Sequence, residues 1–388
     1  MMSHPWRVLI IDNLAVESSR RGIYRTMAQG DDLEIHLLVP NEWKETTHRM
    51  ECEPEGSSTL RVHRSGILFG FRHHRVVYTR LFQILTTLKP DLLLAVHAPE
   101  HYATLQTLVL RRMFRPAMKV ALFASRNIDL PSVGFPYKLA FVNKLCDSVA
   151  AKSGIDAVFH RPRLFGHLYT RYSREIIYIP HYVDCSAFKP GASRDSDSNS
   201  LIMLGYIGRL TSEKGVDILV QAMAGLPPYV HLMIVGEGAS RTMLETLVSG
   251  LKLKDRVQFR TTVPFTEMPQ VMNQLDILVL PSRETTHWKE LFGRVLIEAM
   301  ASGISVVASN SGGIPEVVGD VGVLVEPDSV ADLREKLSGL VTDQHRRSLL
   351  GNLGRERALA FFDMPVVAQT LKENLMSLVS SRQHAGHN

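Results

Sequence analysis

The sequence predicts an α/β fold made of two doubly wound domains, each built on a parallel β-sheet. The chain has 388 residues, between two and three times the roughly 150 residues of a typical domain. Short apolar segments alternate with helical stretches in both halves, the pattern of a parallel sheet covered on both faces. The polar segment GASRDSDSNS at 191–200 interrupts this alternation and predicts a linker. We therefore expect an N-terminal domain over 1–190 and a C-terminal domain over 201–365.

The predicted strands are the apolar segments that begin each repeat of the pattern. In the N-terminal half they are VLII at 8–11, EIHLLVP at 34–40, LLLAVH at 92–97, VALFAS at 120–125 and EIIYIP at 175–180. In the C-terminal half they are LIMLGYIG at 201–208, HLMIVG at 231–236, RVQF at 256–259, DILVLP at 276–281, ISVVAS at 304–309 and VGVLV at 321–325. The segment GVDILVQAMAGL predicts a helix, because Val216, Leu219, Met223 and Leu226 recur at three- and four-residue spacing.

Composition excludes several classes of protein. Hydrophobic residues make up 45% of the chain and charged residues 21%, which is typical of a globular protein and excludes a disordered or fibrous one. The three cysteines, Cys52, Cys146 and Cys185, are too few and too far apart for a disulfide framework or a CxxC metal site, so we expect a reducing, cytoplasmic setting. No apolar run approaches the roughly 18 residues of a membrane-spanning helix.

The charge is concentrated in the N-terminal half. Residues 1–190 carry 25 Lys and Arg against 17 Asp and Glu, a net charge of +8, whereas residues 191–388 carry 19 against 22, a net charge of −3. Acidic residues are absent between Glu55 and Asp91, where six basic residues stand among aromatic ones. This half is therefore expected to face something anionic.

The first motif that predicts chemistry is YIGRLTSEKGVD at 206–217, which follows a predicted strand and opens a helix. Gly208 lets the backbone approach a ligand closely. Arg209 and Lys214 bring two cations to a helix start, where bare N–H groups already attract anions. The motif predicts a phosphate-binding loop, although such a Gly-Arg turn also occurs as a solvated surface loop.

The second motif is PSRETTHWKELFGRVLIEAMASGISVVASNSGGIPEVVG at 281–319. Glu290 precedes a helix that we expect to begin near Gly293, and Glu298 lies on that helix. A carboxylate just before a helix start can bind sugar hydroxyls while the helix N–H groups bind phosphate, and the second carboxylate is placed to accept hydrogen bonds from a ribose diol. Trp288 either shapes the sugar pocket or anchors the loop.

Four short motifs stand in one order in the C-terminal half: GRLTSEKG at 208–215, VGEG at 235–238, the Glu290 to Glu298 spacing within ELFGRVLIEAMASG, and SGGIPEVVG at 311–319. Together they resemble the donor-domain signature of glycosyltransferase family 4, whose members are retaining enzymes of GT-B fold. The resemblance runs over nearly all of 200–330. It implies two Rossmann-like domains facing across a cleft, and a C-terminal helix at about 366–381 that crosses back to the N-terminal domain.

The resemblance also implies roles for individual residues. Arg209 and Lys214 would bind the diphosphate of a nucleotide sugar and neutralise its charge as it leaves, Glu290 would contact the transferred sugar, and Glu298 would bind the ribose. The remaining implied donor-binding residues are Gly208, Gly236, Val263 near the base, Phe292 and Gly293 through their backbone, and Arg294. The scheme needs no metal and no cofactor beyond the donor substrate, because cations and a helix N-terminus can stabilise a leaving diphosphate.

The N-terminal half departs from the family pattern. Many members carry a glycine pair after the first strand, but the loop DNLAVESSRRG has no glycine before Gly22. Many also carry a His-Asp pair after the strand that is VALFAS in this chain, where Arg126 is the nearest candidate for a catalytic or acceptor-side role; a structural hydrogen bond is the alternative. Asn13 and His97, each placed after a predicted strand, are further acceptor-side candidates, although a single His in such a place is often structural.

The sequence therefore predicts a retaining glycosyltransferase that moves a sugar to a hydroxyl acceptor, a cell-envelope glycan or a lipid-linked precursor. The basic N-terminal half favours an anionic membrane surface on the cytoplasmic side, and no nucleic-acid-binding module accompanies the charge. A GT-B epimerase or hydrolase and a non-catalytic nucleotide-sugar-binding protein remain alternatives. A nicotinamide-dependent dehydrogenase is excluded because no GxGxxG follows the first strand.

Overall fold

The computed structural model describes residues 5–45, 48–57, 59–125, 140–191, 201–286 and 288–384. The chain divides into two compact units, one made of Met1–Pro180 with Met364–Asn388 and the other of His181–Asp363. Each unit holds one parallel β-sheet with helices between its strands, so the predicted α/β class is confirmed. The predicted linker at 191–200 lies, apart from Gly191, outside the described residues.

The elements are numbered along the chain. The strands are β1 Trp6–Ile11, β2 Leu33–Pro40, β3 Glu42–Glu45, β4 His48–Glu51, β5 Arg61–Ser65, β6 Ile67–Leu68, β7 Val77–Tyr78, β8 Leu92–Ala95, β9 Lys119–Ala124, β10 Ala157–His160, β11 Ile176–Tyr178, β12 Ile202–Ile207, β13 Val230–Val235, β14 Val257–Arg260, β15 Ile277–Leu280, β16 Ser305–Ser309 and β17 Val323–Val325. The α-helices are α1 Gly22–Met27, α2 Leu81–Leu88, α3 Tyr102–Phe114, α4 Ala140–Lys152, α5 Val216–Met223, α6 Arg241–Gly250, α7 Met268–Met272, α8 Arg294–Ala301, α9 Ile314–Val318, α10 Val330–Thr342, α11 Gln344–Phe361 and α12 Met364–His384. Short 3-10 helices lie at Asn13–Val16, Ser18–Arg21, His73–Arg75, Arg163–Tyr169, Ser212–Lys214, Phe265–Glu267 and Gly319–Val321.

The sheet of the first unit has seven parallel strands in the order β11-β10-β9-β8-β1-β2-β5. Its central strands are apolar on both faces: Val8–Ile11 of β1 and all four residues of β8 are fully buried. The carboxyl ends of β1 and β8 lie side by side, because Ile11 pairs with Ala95. Ligands of parallel sheets bind beyond the carboxyl ends of the strands, so this edge is where a ligand site is expected.

Two strands of this sheet, β5 and β10, were not predicted from the sequence. The edge strand β5 reads RVHRS, and only its last residue is buried, so it lacks the apolar pattern of a covered strand. The strand β10 is buried but only four residues long. The antiparallel hairpins β3-β4 and β6-β7 lie outside the main sheet and were not predicted either.

The last helix, α12, packs on α1 within the first unit. Its buried face contains Val367, Leu371, Leu375 and Val379. Lys372 Nζ, on the same helix, donates a hydrogen bond to the Gln29 carbonyl at 3.1 Å. These contacts join the end of the chain to the segment after β1.

The sheet of the second unit has six parallel strands in the order β14-β13-β12-β15-β16-β17. This unit begins earlier than the predicted boundary, because residues 181–190 pack within it. Cys185 and Phe188 lie in its core, and the Val183 N–H donates to the Phe362 carbonyl at 2.8 Å. The helix α5 buries Val216, Leu219 and Met223 on one face, as its spacing predicts.

Across the described part of the chain, no helix combines the length and apolarity needed to cross a membrane.

Candidate functional site

Two glycine loops follow the adjacent central strands of the second unit. Gly208 follows β12 and Gly236 follows β13, and the Gly208 N–H donates to the Val235 carbonyl at 3.0 Å. Gly236 has a φ of +146°, and a Cβ at this position would clash with the Gly208 carbonyl oxygen. Because only glycine permits this approach, the two loops pack directly against each other at the carboxyl edge of the sheet.

A buried ion pair joins the two predicted motifs. Lys214, in the 3-10 turn before α5, places its Nζ 2.5 Å from Glu290 Oε2, and the two side chains are only 14% and 11% exposed. The Ser282 hydroxyl, which is fully buried, donates to the same carboxylate oxygen at 3.0 Å. The structure thus brings together two predicted site residues that are far apart in the sequence, and adds a serine that the sequence did not reveal.

Trp288 holds the lysine from a second direction. The Lys214 Nζ lies 5.1 Å from the centroid of the Trp288 ring, within the range of a cation–π interaction. The ring therefore restricts where the ammonium group can lie.

The helix α8 begins directly after Gly293. This glycine has a φ of +74°, and a Cβ there would lie 2.7 Å from Leu280 Cδ2. Among the described residues, no side chain caps α8. The Leu296 N–H donates to the Gly293 carbonyl at 2.8 Å, so the N–H groups of Arg294 and Val295 are the ones that an anionic ligand can use.

Glu298 lies one turn along α8 and is 9% exposed. Burial raises the pKa of its carboxyl to about 7, and Arg294, whose Nη2 lies 3.9 Å from Glu298 Oε1, offsets part of that shift. With this pKa, the protonated and ionised forms of the Glu298 carboxyl are both populated at neutral pH. A ligand that donates hydrogen bonds to the carboxylate stabilises the ionised form.

The other predicted donor-binding residues do not contact the ion pair. Arg209 is 67% exposed, its nearest carboxylate is Glu213 at 4.0 Å, and its carbonyl accepts a hydrogen bond from the Tyr206 hydroxyl at 2.7 Å. The Phe292 side chain is buried, with its ring 4.9 Å from that of His181, so only its backbone remains for a ligand. Val263 packs partly buried against the core of its unit.

Arg283, which the sequence analysis overlooked, connects the two motifs a second time. Its Nη1 and Nη2 donate to Asp217 at 2.7 and 2.8 Å, and Nη1 also donates to the Ser212 carbonyl at 2.8 Å. Its Nε donates to Asp328 at 2.6 Å. The sequence could have indicated Ser282 and Arg283 only by their position. Both follow the carboxyl end of β15, and ligands of parallel sheets bind at that end of the strands.

Two of the acceptor-side candidates, Asn13 and His97, lie in a cluster of buried polar side chains in the first unit. Asn13, after β1, accepts a hydrogen bond from the Tyr78 hydroxyl, and its Nδ2 lies 3.4 Å from His73 Nδ1. His97, after β8, is 2% exposed, its ring lies 6.3 Å from that of Tyr78, and its Nδ1 lies 3.4 Å from His101 Nδ1. Burial lowers the pKa of His97 well below its usual value, with His101 and His73 adding to the shift, so His97 is neutral. Arg126 lies outside the described residues.

In the ranges that the structure describes, no group of three or more His, Cys, Asp or Glu side chains is placed to hold a metal ion.

The comparison with protein families bears directly on the second unit. Residues 193–357 match the family model described as Glycosyl transferases group 1. This match contains Arg209, Lys214, Glu290 and Glu298, so the ion pair and the buried carboxylate both lie in the part of the chain that resembles the family.

Curated relatives match only part of the chain. The sulfoquinovosyl transferase SQD2 of Arabidopsis thaliana is 33% identical over 39% of this chain and 29% of its own length. A GDP-mannose-dependent alpha-(1-6)-phosphatidylinositol monomannoside mannosyltransferase of Mycobacterium tuberculosis is 30% identical over 51% of this chain and 55% of its own length. The chain thus spans between about a third and about a half of the length of these two relatives.

Solved structures match nearly the whole chain and establish the fold. Sucrose-phosphate synthase from Thermosynechococcus elongatus has a TM-score of 0.73 at 21% identity, covering 97% of this chain and 100% of that one. The Anabaena protein HepE in complex with UDP and glucose has a TM-score of 0.68 at 19% identity, covering 96% and 100%. The predicted GT-B architecture, two Rossmann-like domains with parallel sheets, is therefore confirmed.

Proposed function

We propose that the chain is a retaining glycosyltransferase of family 4 that moves a sugar from a nucleotide-diphosphate sugar to a hydroxyl acceptor without a metal ion. The observation that carries the proposal is the buried pair of Lys214 and Glu290, held by Ser282 and lying next to the uncapped start of α8. The relatives named as glycosyltransferases, and the UDP and glucose bound by HepE, support it.

The reaction is a substitution at the anomeric carbon of the donor sugar. The bond between that carbon and the diphosphate oxygen breaks, and its electron pair leaves with the diphosphate. The acceptor oxygen forms the new bond on the same face, and its proton passes to a diphosphate oxygen. The transition state resembles an oxocarbenium ion, and no covalent enzyme intermediate is required, unlike the two-carboxylate retaining hydrolases.

The residues of the second unit suit the charges of this reaction. The diphosphate gains negative charge as it leaves, so Lys214, exposed Arg209 and the N–H groups of α8 stabilise the transition state more than the bound donor. Glu290 contacts hydroxyls of the transferred sugar and keeps Lys214 in position when no donor is bound. Glu298 accepts hydrogen bonds from the ribose diol, and the backbone beside Val263 faces the base.

A panel of nucleotide sugars tests the proposal. Each compound is first tested for thermal stabilisation, since a ligand present at 100 times its dissociation constant adds about 2.7 kcal/mol to the free energy of unfolding. The compounds that bind are then incubated with hydroxyl acceptors, and products are analysed for anomeric configuration by NMR. Transfer with retention supports the proposal, whereas a product of inverted configuration contradicts it.

The same panel separates the two alternatives. An epimerase or hydrolase would consume the donor at full rate without an acceptor, while a transferase would show only slow hydrolysis. A non-catalytic binding protein would be stabilised by a nucleotide sugar and leave it intact under every condition. The intact set of Arg209, Lys214, Glu290 and Glu298 favours the enzyme over the binding protein.

Nucleotide affinity is expected to rise with pH through about 7, where Glu298 ionises. Only the ionised carboxylate accepts both hydroxyl hydrogen bonds, so the wild type should bind a nucleoside diphosphate about tenfold more weakly at pH 6 than at pH 8. Titration calorimetry with UDP and GDP measures this. The variant Glu298→Gln is the control for titration of the nucleotide phosphates themselves, and an equal pH dependence in both proteins would contradict the role given to Glu298.

We further infer that the first unit works at the cytoplasmic face of an anionic membrane, with a lipid-linked or cell-envelope acceptor. Large apolar side chains are exposed on it: Phe69 is 67% exposed, Met113 is 65% exposed, and Phe82 and Phe114 form an exposed ring pair at 4.8 Å. Basic and apolar groups on one surface are typical of reversible membrane attachment. The phosphatidylinositol-linked acceptor named for the mycobacterial relative is consistent with this inference.

The structure narrows which basic residues are available to a membrane. Arg111 and Lys119 pair with Asp156, at 3.4 and 2.9 Å, and Arg171 pairs with Asp147. These three side chains form part of the ion-pair network of the unit and are therefore less available to a membrane than unpaired basic residues. Arg72 and Arg112 are exposed and are the better candidates for lipid contacts.

Anionic vesicles should bind the protein reversibly, and high salt should release it. Replacing both Arg72 and Arg112 by Ala should weaken binding about thirtyfold, because each basic side chain near an anionic surface contributes about 1 kcal/mol. Co-sedimentation with phosphatidylglycerol vesicles measures this. Lys254→Ala with Arg346→Ala, which removes two exposed charges of the second unit, is the matched control. Absence of binding at low salt would contradict the membrane inference while leaving the transferase proposal intact.

A further inference from the structure

A second candidate ligand site lies at the opposite edge of the first unit's sheet. A cavity of about 390 Å³ opens beside α2 at the amino ends of β1, β2 and β5. Asn13 and His97 follow the carboxyl ends of strands of the same sheet. The cavity is therefore separate from the acceptor-side residues, and none of its lining residues belongs to the second unit.

Polar side chains occupy a place where a helix covers a sheet and apolar side chains are expected. His36 is only 3% exposed, and its Nδ1 lies 2.8 Å from His63 Nε2, with the two rings stacked at 5.1 Å. His36 Nε2 lies 3.2 Å from Glu34 Oε1. Burying these polar groups costs free energy, whereas burying apolar side chains in the same place would not. The cluster therefore indicates a function other than packing.

Three arginines surround this histidine pair. Arg7 Nε and Arg61 Nη1 lie 3.3 and 2.9 Å from the Glu34 carboxylate, and Arg80 Nη1 donates to the Arg64 carbonyl at 3.1 Å. Each contact uses part of a guanidinium group that has five N–H donors. Further donors therefore remain for a ligand in the cavity.

The charges of the lining select the ligand. Three arginines and one glutamate leave a net charge of +2 around the cavity, with the histidines neutral. Burial lowers the pKa of both His36 and His63 from their usual value, which keeps the pair uncharged at neutral pH. A phosphate monoester carries between about −1.5 and −2 at pH 7, which matches this surplus, and arginine binds phosphate oxygens through paired N–H groups.

We propose that this cavity binds a phosphate monoester through Arg7, Arg61 and Arg80, with His63 as a further hydrogen-bonding group. The ligand is either a small soluble phosphate ester or the phosphate of a lipid headgroup. The site shares no residue with the donor site, because all of its lining residues belong to the first unit.

Histidine side-chain NMR of the full chain provides a local test. The protein is labelled with ¹⁵N-histidine, and the variants His36→Gln and His63→Gln assign the two cavity resonances. Inorganic phosphate, glycerol 3-phosphate and vesicles containing phosphatidic acid are then titrated separately. We expect saturable shifts of the His36 and His63 resonances, while an unchanged His97 resonance shows that the unit stays folded.

Two double variants locate the binding. Arg61→Ala with Arg80→Ala should weaken phosphate binding at least about tenfold, because hydrogen bonds between charged groups contribute more to affinity than neutral ones. Lys254→Ala with Arg346→Ala, which removes the same charge from exposed positions of the second unit, should leave it unchanged. Shifts with glycerol 3-phosphate identify a soluble ester, and shifts with phosphatidic acid vesicles alone identify a lipid headgroup. No shift with any probe, or equal affinity of the two double variants, overturns the proposal.

Discussion

Replacing Lys214 or Glu290 is expected to lower kcat of sugar transfer by roughly 10² to 10³ while the protein stays folded. Lys214 stabilises negative charge that develops on the leaving diphosphate. Its loss therefore raises the free energy of the transition state more than that of the bound donor. Because the two groups lie 2.5 Å apart, each also positions the other. The change should therefore appear mainly in kcat, and KM should move less.

The ion pair also predicts how the two substitutions combine. Among the described side chains, Lys214→Met leaves only Ser282 as a hydrogen-bond partner of the buried Glu290 carboxylate. Lys214→Met with Glu290→Gln removes both charges and avoids that penalty. The double variant should be more stable than Lys214→Met, and its loss of kcat should be smaller than the product of the single losses, as for residues that act as a unit.

Steady-state kinetics and thermal unfolding of the three variants measure these effects. Lys254→Ala and Glu267→Gln, which alter exposed charges of the same unit, serve as matched controls and should retain wild-type rates. Turnover of both single variants within a few-fold of the wild type would remove the roles assigned to Lys214 and Glu290.

The fold was largely predictable because most strands of both sheets are covered on both faces. Segments such as β1, β8 and β15 consist mainly of buried apolar residues, so their composition alone predicts that they are covered strands. The edge strand β5 does not, since its residues are mostly exposed or partly buried and its place is set by pairing with β2, about 25 residues earlier in the chain. A pattern within one segment holds no information about a pairing of that kind.

The candidate site was predictable in its residues but not in its geometry. Lys214 and Glu290 carry a charge pattern that the sequence reveals, yet their contact joins positions 76 residues apart. Ser282 and Arg283 have no distinctive local pattern, and only the folded chain shows that they hold Glu290 and the Ser212–Lys214 turn. The pKa of Glu298 depends likewise on burial, which a single helix does not specify.

The buried guanidinium of Arg21 is expected to be the largest single contributor to the stability of the first unit. Its side chain is fully buried. Nε donates to the Ala15 carbonyl at 2.7 Å, and Nη2 donates to the carbonyls of Val16 and Glu53 at 2.8 and 2.9 Å. The side chain thus connects the segment after β1, which contains Asn13, to the segment after β4.

Arg21→Ala should lower the free energy of unfolding of this unit by about 3–5 kcal/mol, because it removes the hydrogen bonds of the guanidinium to the carbonyls of Ala15, Val16 and Glu53 and leaves a cavity. Arg21→Lys should recover only part of the loss, since an ammonium group cannot reproduce the fork of the guanidinium. Arg20→Ala, at a half-buried neighbour paired with Glu17, should change the free energy by no more than about 1 kcal/mol.

Tryptophan fluorescence can isolate the unfolding of this unit from that of the other. Of the three tryptophans, Trp6 and Trp43 lie in the first unit and Trp288 in the second. In a Trp288→Phe background, urea unfolding followed by fluorescence therefore reports only on the unit that contains Arg21, which keeps a two-state treatment applicable. A midpoint for Arg21→Ala equal to that of Arg20→Ala would mean that solvent replaces the guanidinium without cost. The buried network would then not be what fixes the Asn13 segment.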